Sequence, residues 1–299
     1  MAKILITGGS GLVGNRLSEI LAANGHQVTH LSRSSNPHAK YPTFKWSISD
    51  GEIDQKAFEG VDHIVHLAGA GVADKRWTSS RKKVILSSRV DAIGLLNDYV
   101  LRLGIKLKSF VSASGIGLYG ADTGDMWLTE ESGEGKDFLA DVVKQWEAEA
   151  DLFTHITKVT KVRIGVVLSE EGGALPEIMR PIRLFAGAPL GTGKQYMSWI
   201  HIDDLCELFR FVIENNIEGS VNATAPNPVT NKELTQSIAQ TISKPLILPN
   251  VPAFVMKLML GEMAQIVLGG NRVSSERIVE KGFKFRFTDV NLALQDLLS

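Results

Sequence analysis

The sequence predicts an α/β fold, a doubly wound parallel sheet with an appended lobe. Three observations carry this reading. The chain opens on an apolar run, Lys3-Ile4-Leu5-Ile6-Thr7, that ends in a cluster of glycines. A helical pattern and a second apolar run follow at the spacing of a strand-helix-strand unit. Later apolar runs again end in small and hydroxylated residues, as strands do when their carboxyl ends face a ligand. At 299 residues the chain is long enough for one α/β domain with an appended lobe, the favoured reading, or for two domains.

The glycines come first. Gly8, Gly11 and Gly14 are spaced G-x-x-G-x-x-G, and Gly9, Gly11 and Gly14 also satisfy G-x-G-x-x-G. One glycine permits the tight turn, another lets backbone approach a pyrophosphate, and the last lets helix pack on strand. The apolar positions Leu12, Val13, Leu17, Ile20 and Leu21 then give a helix that Gly25 ends. Its first residues, Leu12 and Val13, would turn unpaired amides and the positive dipole end toward phosphates. Motif and context together point to a bound dinucleotide.

Val28-Thr29-His30-Leu31 is the second strand, and it ends Ser32-Arg33 with no acid. An Asp or Glu there would hold a ribose 2′-hydroxyl, whereas an arginine accommodates a 2′-phosphate. The cofactor read from this position is NADP(H), with Ser32 and Arg33 as contacts. Ordinary loop surface is the competing reading of Arg33.

Residues 34 to 41 form a polar stretch with one proline, and Phe44-Lys45-Trp46 gives a third strand closed by the Asp50-Gly51 turn. Gln55 to Phe58 suggests a short helix. Val61 to Leu67 is an apolar strand running into Ala68 and Gly69, so Leu67, Ala68 and Gly69 would pass close to the cofactor. His66 at its end reads as a hydrogen-bonding histidine. A long helical pattern from Val84 to Leu103 stops at Gly104, and Arg89 lies inside its apolar face. A charge there needs a partner, either a phosphate of cofactor or substrate, or a helix-edge acid. Phe110-Val111-Ser112-Ala113 is another strand, and Ser114 and Tyr119 follow its end, where chemistry would occur.

At this point the sequence resembles the extended short-chain dehydrogenase/reductases, the superfamily of nucleotide-sugar epimerases and dehydratases. More narrowly it resembles the atypical epimerase-like subfamily with an uncharacterised C-terminal domain. The glycine turn, His66-Leu67-Ala68-Gly69 and Leu118-Tyr119-Gly120 fit the superfamily. Arg76-Trp77-Thr78, Ser88-Arg89, Arg163 to Leu168, Gly172 to Leu175, Ser198-Trp199-Ile200-His201 and Ala225 to Asn231 fit the subfamily. The resemblance implies a Rossmann fold of about seven parallel strands, with residues 1–168 and 196–224 binding NADP and residues 169–195 and 225–299 forming a substrate lobe. It also implies that the strand closed by Arg163 passes the nicotinamide, which makes Arg163 a cofactor residue.

The resemblance breaks at one place. The superfamily's catalytic pair is Tyr-x-x-x-Lys on a helix, and aligning on Glu147 puts Leu139 and Val143 in those slots. Neither side chain exchanges a proton or binds a ribose. Any acid/base must then come from Ser114, Tyr119 or water, while a packed core tyrosine is the competing reading of Tyr119. Gly187 to Lys194 reads as a mobile flap, and Gln195, Trp199 and His201 behind it as the wall of a small polar substrate pocket. His201 also reads as part of a helix N-cap with Asp203 and Asp204. Phe254 to Leu268 reads as one apolar helix, and Gly282 to Phe287 as a half-buried strand.

Composition bounds the partners. Lys and Arg total 32 against 33 acidic residues, which gives no reason to expect nucleic acid or an anionic membrane. No apolar run approaches the ~20 residues of a membrane span, and the first strand starts at once, so the expected compartment is the cytoplasm. Cys206 is the single cysteine and reads as core. No metal site is assigned. The expected function is an NADP(H)-dependent oxidoreductase or epimerase-like enzyme on a small polar substrate, with a homodimer as the candidate assembly. The alternative is an NADP(H)-binding sensor without turnover.

Overall fold

The computed structural model describes residues 1–34 and 38–298. Residues 35–37 of the polar stretch, and residue 299, lie outside the described residues. The chain begins β1 (Lys3–Thr7), α1 (Leu12–Ala23), β2 (Gln27–Ser32), β3 (Thr43–Ser47), β4 (Glu52–Ile53), β5 (His63–His66), α2 (Ser79–Leu103) and β6 (Ser109–Gly115). It continues with β7 (Trp127–Leu128), α3 (Phe138–Ala150), β8 (Lys158–Ile164), β9 (Val166–Ser169), β10 (Gly172–Gly173), α4 (Ala174–Arg183), β11 (Tyr196–Met197), β12 (Trp199–His201) and α5 (Ile202–Glu214). Last come β13 (Gly219–Ala223), β14 (Val229–Thr230), α6 (Asn231–Thr241), α7 (Ala253–Leu260), α8 (Gln265–Leu268), β15 (Arg272–Val273), α9 (Glu276–Glu280) and α10 (Val290–Leu298).

The main sheet has eight strands in the order β13-β8-β6-β5-β1-β2-β3-β4. Seven run parallel, and β4 alone pairs antiparallel, with β3. From β1 the chain winds outward through β2 and β3, then crosses back to β5 and winds outward the other way. Right-handed crossovers in opposite directions put α1 and α2 on opposite faces; α1 packs on α5, and α2 on α3. The order reverses between β1 and β5, so the loops after these two strands part and leave a crevice.

Because helices cover both faces, the central strands are apolar throughout rather than alternating. Ile4, Leu5, Ile6, Ile64, Val65 and Phe110 are wholly buried in the main core, where Phe110 stacks on Phe153 at 3.8 Å. A second core joins Leu175, Ile182, Trp199, Leu234 and Leu294 beneath the small three-stranded sheet β10-β9-β12.

Two expected elements differ. The apolar stretch from Phe254 to Leu268 is not one helix: α7 ends at Leu260, Gly261 sits in the left-handed region at φ +62°, and a 3-10 turn leads to α8. No residue of α7 is buried, and Phe254, Leu258 and Met259 face solvent. The segment Gly282 to Phe287 buries Phe283 and Phe287 as the alternation requires, yet it joins no sheet. The amides of Arg286 and Phe287 donate instead to the two carboxylate oxygens of Asp204, each at 2.9 Å, so one acid takes the place of a strand edge.

Candidate functional site

The glycine turn fills the β1 side of the crevice. Gly8 adopts φ +73°, and a Cβ there would lie 2.9 Å from the Ala68 nitrogen. At Gly14 a Cβ would lie 2.2 Å from the Gly8 carbonyl oxygen, so this glycine sets how closely α1 approaches β1. Gly11 is the N-cap of α1; it supplies no side-chain cap, and the first turn holds no acid. The first amides of α1, from Leu12 on, therefore have neither a helical partner nor a competing anion. Across the crevice the Leu67 amide donates to the Thr7 carbonyl at 3.1 Å, and the Ala68 amide to the Thr7 hydroxyl at 3.2 Å. Ser32 ends β2, and Arg33 just beyond it is exposed.

His66 closes β5 with no exposure, its Nδ1 2.9 Å from the Thr7 hydroxyl. Burial, assisted by the charge of Arg89, lowers its pKa to about 3, so the ring is neutral. Arg89 is buried on α2 beside Gly69, where a Cβ would come within 3.0 Å of its guanidinium carbon. One guanidinium nitrogen, Nη1, donates to the carbonyls of Ala70 at 3.0 Å and Ile85 at 2.8 Å, and the group lies 4.9 Å from the Trp146 ring. No carboxylate pairs with it among the described residues. Burial lowers its pKa to about 10.

Arg89 also borders a cavity of about 430 Å³ beyond the carboxyl ends of β6 and β8. Leu139, Val143 and Trp146 of α3 form one wall and Ser114 another, with Met197 of β11 and Ile266 of α8 also lining it. Behind Ser114 lies a buried network. Ser114 donates to Glu147 at 2.5 Å, and Arg163 grips both oxygens of Glu147 through Nε and Nη2 at 2.8 and 2.9 Å. Arg163 Nη1 reaches the Tyr119 oxygen at 3.1 Å and the Glu130 carbonyl at 3.0 Å, and Tyr119 donates to Asn222 at 2.7 Å. Burial opposes the charge on Arg163, but the hydrogen bonds and charge of Glu147 outweigh it and raise its pKa. Burial pushes the Tyr119 phenol up.

Residues 4–224 match the NAD dependent epimerase/dehydratase family, and residues 251–297 match a domain of unknown function, DUF1731. The chain belongs to the NAD-dependent epimerase/dehydratase family. The epimerase family protein YfhF of Bacillus subtilis is 34% identical over 303 residues, covering 99% of this chain and 98% of its own. The epimerase family protein SDR39U1 of Mus musculus is 30% identical, covering 99% and 100%. The crystal structure of human SDR39U1 with NADPH superposes with a TM-score of 0.89 at 30% identity, over 99% of this chain and 98% of that one. At 16% identity and a TM-score of 0.77, MoeE5 in complex with UDP-glucose and NAD shares the fold.

Within this family member the residues singled out in the sequence fall into separate places. Gly8, Gly11, Leu12, Val13, Gly14, Ser32, Arg33, Leu67, Ala68, Gly69 and Arg89 gather around the crevice or its rim. Ser114 lines the cavity, whereas Tyr119 and Arg163 lie behind it in the network. The three residues expected to wall a substrate pocket do not line the cavity. Trp199 is wholly buried in the second core, its indole donating to the Asn227 carbonyl at 2.9 Å. His201 is the N-cap of α5, accepting from the Asp203 amide at 3.0 Å, and stacks on Phe287. Gln195 donates to the carbonyls of Leu190 and Val267 at 3.0 and 2.9 Å. Their neighbours Tyr196, Met197 and Ser198 face the cavity instead. A tryptophan inside an apolar run and a histidine two residues before an acid were signals of core and cap. Glu147, which served above only as an alignment landmark, anchors the network; its spacing of four from Val143 placed it on the cavity side of α3.

Proposed function

We propose that this family member is an NADP(H)-dependent oxidoreductase or epimerase-like enzyme of the cytoplasm. The observation that carries the reading is Arg33, exposed at the end of β2 beside a capless, acid-free helix N-terminus, with no carboxylate in the position that would hold a ribose 2′-hydroxyl. A charge-assisted bond from Arg33 to a 2′-phosphate is worth about 1.5–3 kcal/mol. NADPH in the human SDR39U1 structure supports the same choice.

The residues present fit such a group. Leu12, Val13 and Gly14 offer amides to a pyrophosphate, the Gly11 amide being turned back onto the Gly8 carbonyl at 3.0 Å, and Leu67 to Gly69 flank it from the end of β5. Ser32 and Arg33 meet the 2′-phosphate, and Arg89 supplies a cation at the far end of the crevice. When bound, the cofactor supplies a nicotinamide that gives or takes a hydride. Ser114 is the acid/base candidate that lines the cavity. Its hydrogen is directed at Glu147, so its lone pairs accept from a substrate hydroxyl, and a proton taken there passes on as the serine's own moves to Glu147. Arg163 and Tyr119 hold Glu147 in position for this. The lobe of residues 169–195 and 225–299 closes the substrate side.

A second reading, an NADP(H) sensor without turnover, is favoured by one observation: Leu139 and Val143, in the slots of the usual catalytic pair, give the cavity no titratable group. The deciding experiment is a fluorescence titration of wild type and Arg33→Asp with NADPH and NADH, followed by absorbance of bound NADPH against carbonyl compounds and nucleotide sugars. Arg33→Asp is expected to weaken NADPH binding by roughly tenfold or more and leave NADH unchanged. Equal losses would remove the 2′-phosphate assignment. Oxidation by any compound favours the enzyme, and tight binding without it favours the sensor.

A further inference from the structure

We propose that the cavity bordering the crevice takes an uncharged compound with an apolar ring body and one polar group, of the aromatic or alicyclic ketone class, rather than a sugar or sugar nucleotide. The choice of a ketone rests on the cofactor reading above; the apolar character of the ligand rests on the walls alone.

Aliphatic and aromatic side chains enter from several elements: Ile116 from the β6 end, Leu139, Val143 and Trp146 from α3, Val166 from β9 and Ile266 from α8. Among the described residues that line the cavity, Arg89 is the one charged side chain, and there is no Asp, Glu, Lys or His. A hexose carries a hydroxyl on nearly every ring carbon, and each hydroxyl buried without a partner weakens binding by roughly tenfold. The polar atoms available to meet them are few because most are already engaged. Ser198 donates to the Asn271 carbonyl at 2.7 Å and accepts from the Val273 amide at 2.9 Å. Asn271 donates to the Gly120 carbonyl at 2.8 Å and accepts from Thr123 at 2.9 Å. Three of the lining glycine amides are occupied as well: those of Gly120, Gly165 and Gly269 donate to the carbonyls of Gly117, Ala223 and Gln265.

What remains is sparse. Ser114 keeps its lone pairs, and Tyr196 of β11 and Gln265 of α8 bring a hydroxyl and an amide. Arg89 lies beside Gly69 at the edge of the cavity, its Nη1 already on the carbonyls of Ala70 and Ile85. One carbonyl oxygen can therefore be met by the Tyr196 hydroxyl or the Gln265 amide, while the rest of the ligand must be apolar. A volume of about 430 Å³ is of small-molecule size.

The test is calorimetric titration of the full chain, with and without saturating NADP⁺, using 1-tetralone, 2-decalone, D-glucose and UDP-glucose. Two variants place the ligand. Leu139→Asn makes one wall polar at similar volume. Gly115→Val fills the cavity from a residue whose backbone, at φ −148° and ψ 149°, suits any side chain, and whose Cβ would have no atom nearer than 3.9 Å. At least one ketone is expected to bind about tenfold or more tightly than either sugar, and both variants to weaken it by about tenfold with thermal unfolding unchanged. A sugar ligand binding as tightly as the ketones, no binding of either ketone, or ketone affinity untouched by both variants would each overturn the proposal. If one variant does not fold, the other decides. Failure of NADP⁺ to bind while a ketone still binds would remove the cofactor reading and leave the cavity assignment standing.

Discussion

Arg89 and Arg163 are buried to the same degree, 8% and 7% exposed, and are held in opposite ways. Arg163 meets a carboxylate edge-on through two bonds and spends a further nitrogen on Tyr119 and the Glu130 carbonyl. Arg89 meets two carbonyls through one nitrogen and the face of an indole, with no acid paired to it among the described residues. Their pKa values move in opposite directions accordingly, Arg163 upward and Arg89 down to about 10. Burial of an arginine thus does not mark a ligand site by itself. On the reading proposed above, the charge left without a counter-ion does, because the molecule has already borne the desolvation that an anionic ligand would otherwise have to overcome.

The comparison breaks most visibly at Glu147. Glu147→Gln leaves Arg163 buried against a neutral amide and takes the carboxylate from Ser114, so a loss of about 3–5 kcal/mol is expected, read from urea unfolding. Replacing both partners, Glu147→Leu with Arg163→Met, should recover most of that loss, since no unpaired charge remains. A single variant as stable as wild type would mean that the pair does not hold the network together.

Acid separates the two regions next. His63 and His66 are buried neutral, burial lowering them to about 4 and about 3. Their folded values lie below the unfolded one near 6.5, so the unfolded chain binds more protons as pH falls through 6.5. Stability is therefore lost on the acid side, by about 2 kcal/mol per imidazole between pH 7 and pH 5. Urea midpoints at the two pH values measure it, and His63→Gln should remove one share of the slope. A midpoint independent of pH would show that these rings accept protons in the folded chain.

The two arginines also show how far the sequence carries. The sheet, its reversal between β1 and β5 and the glycine crevice follow from local signals: an unbroken apolar strand, a glycine that a Cβ would push off its neighbour, a helix without an acid in its first turn. The network around Arg163 has no such signature, since Ser114, Glu147 and Arg163 come from β6, α3 and β8 and meet only through the register of β6 on β8, Ser114 opposite Arg163. The cavity's lobe side was illegible for a related reason. Gly261 breaks what reads as one apolar helix and presents Gln265 and Ile266 to the cavity from α8. Trp199 and His201 looked like pocket residues because polarity and aromaticity are shared by pockets, caps and cores; only the neighbouring elements decide among them.

The smallest expected change in stability is the one that sharpens the contrast furthest. Arg89→Met removes a cation of similar length from an apolar wall. The loss of two carbonyl contacts and the stacking on Trp146, each about 1 kcal/mol or less, is offset by the desolvation that the buried charge no longer imposes. Stability should stay within about 1 kcal/mol of wild type, against the several lost on unpairing Arg163. Cofactor binding should respond the other way, with NADPH weakened by roughly tenfold and adenosine 2′,5′-bisphosphate, which lacks the nicotinamide half, unchanged. His66 supplies an internal check, since Arg89 adds to burial in keeping that ring neutral. Without the arginine its pKa should rise, and the share of acid sensitivity due to His66 should shrink. If Arg89→Met instead unfolds the chain as readily as Glu147→Gln, the two arginines do the same structural work and the unpaired charge is no guide to the site.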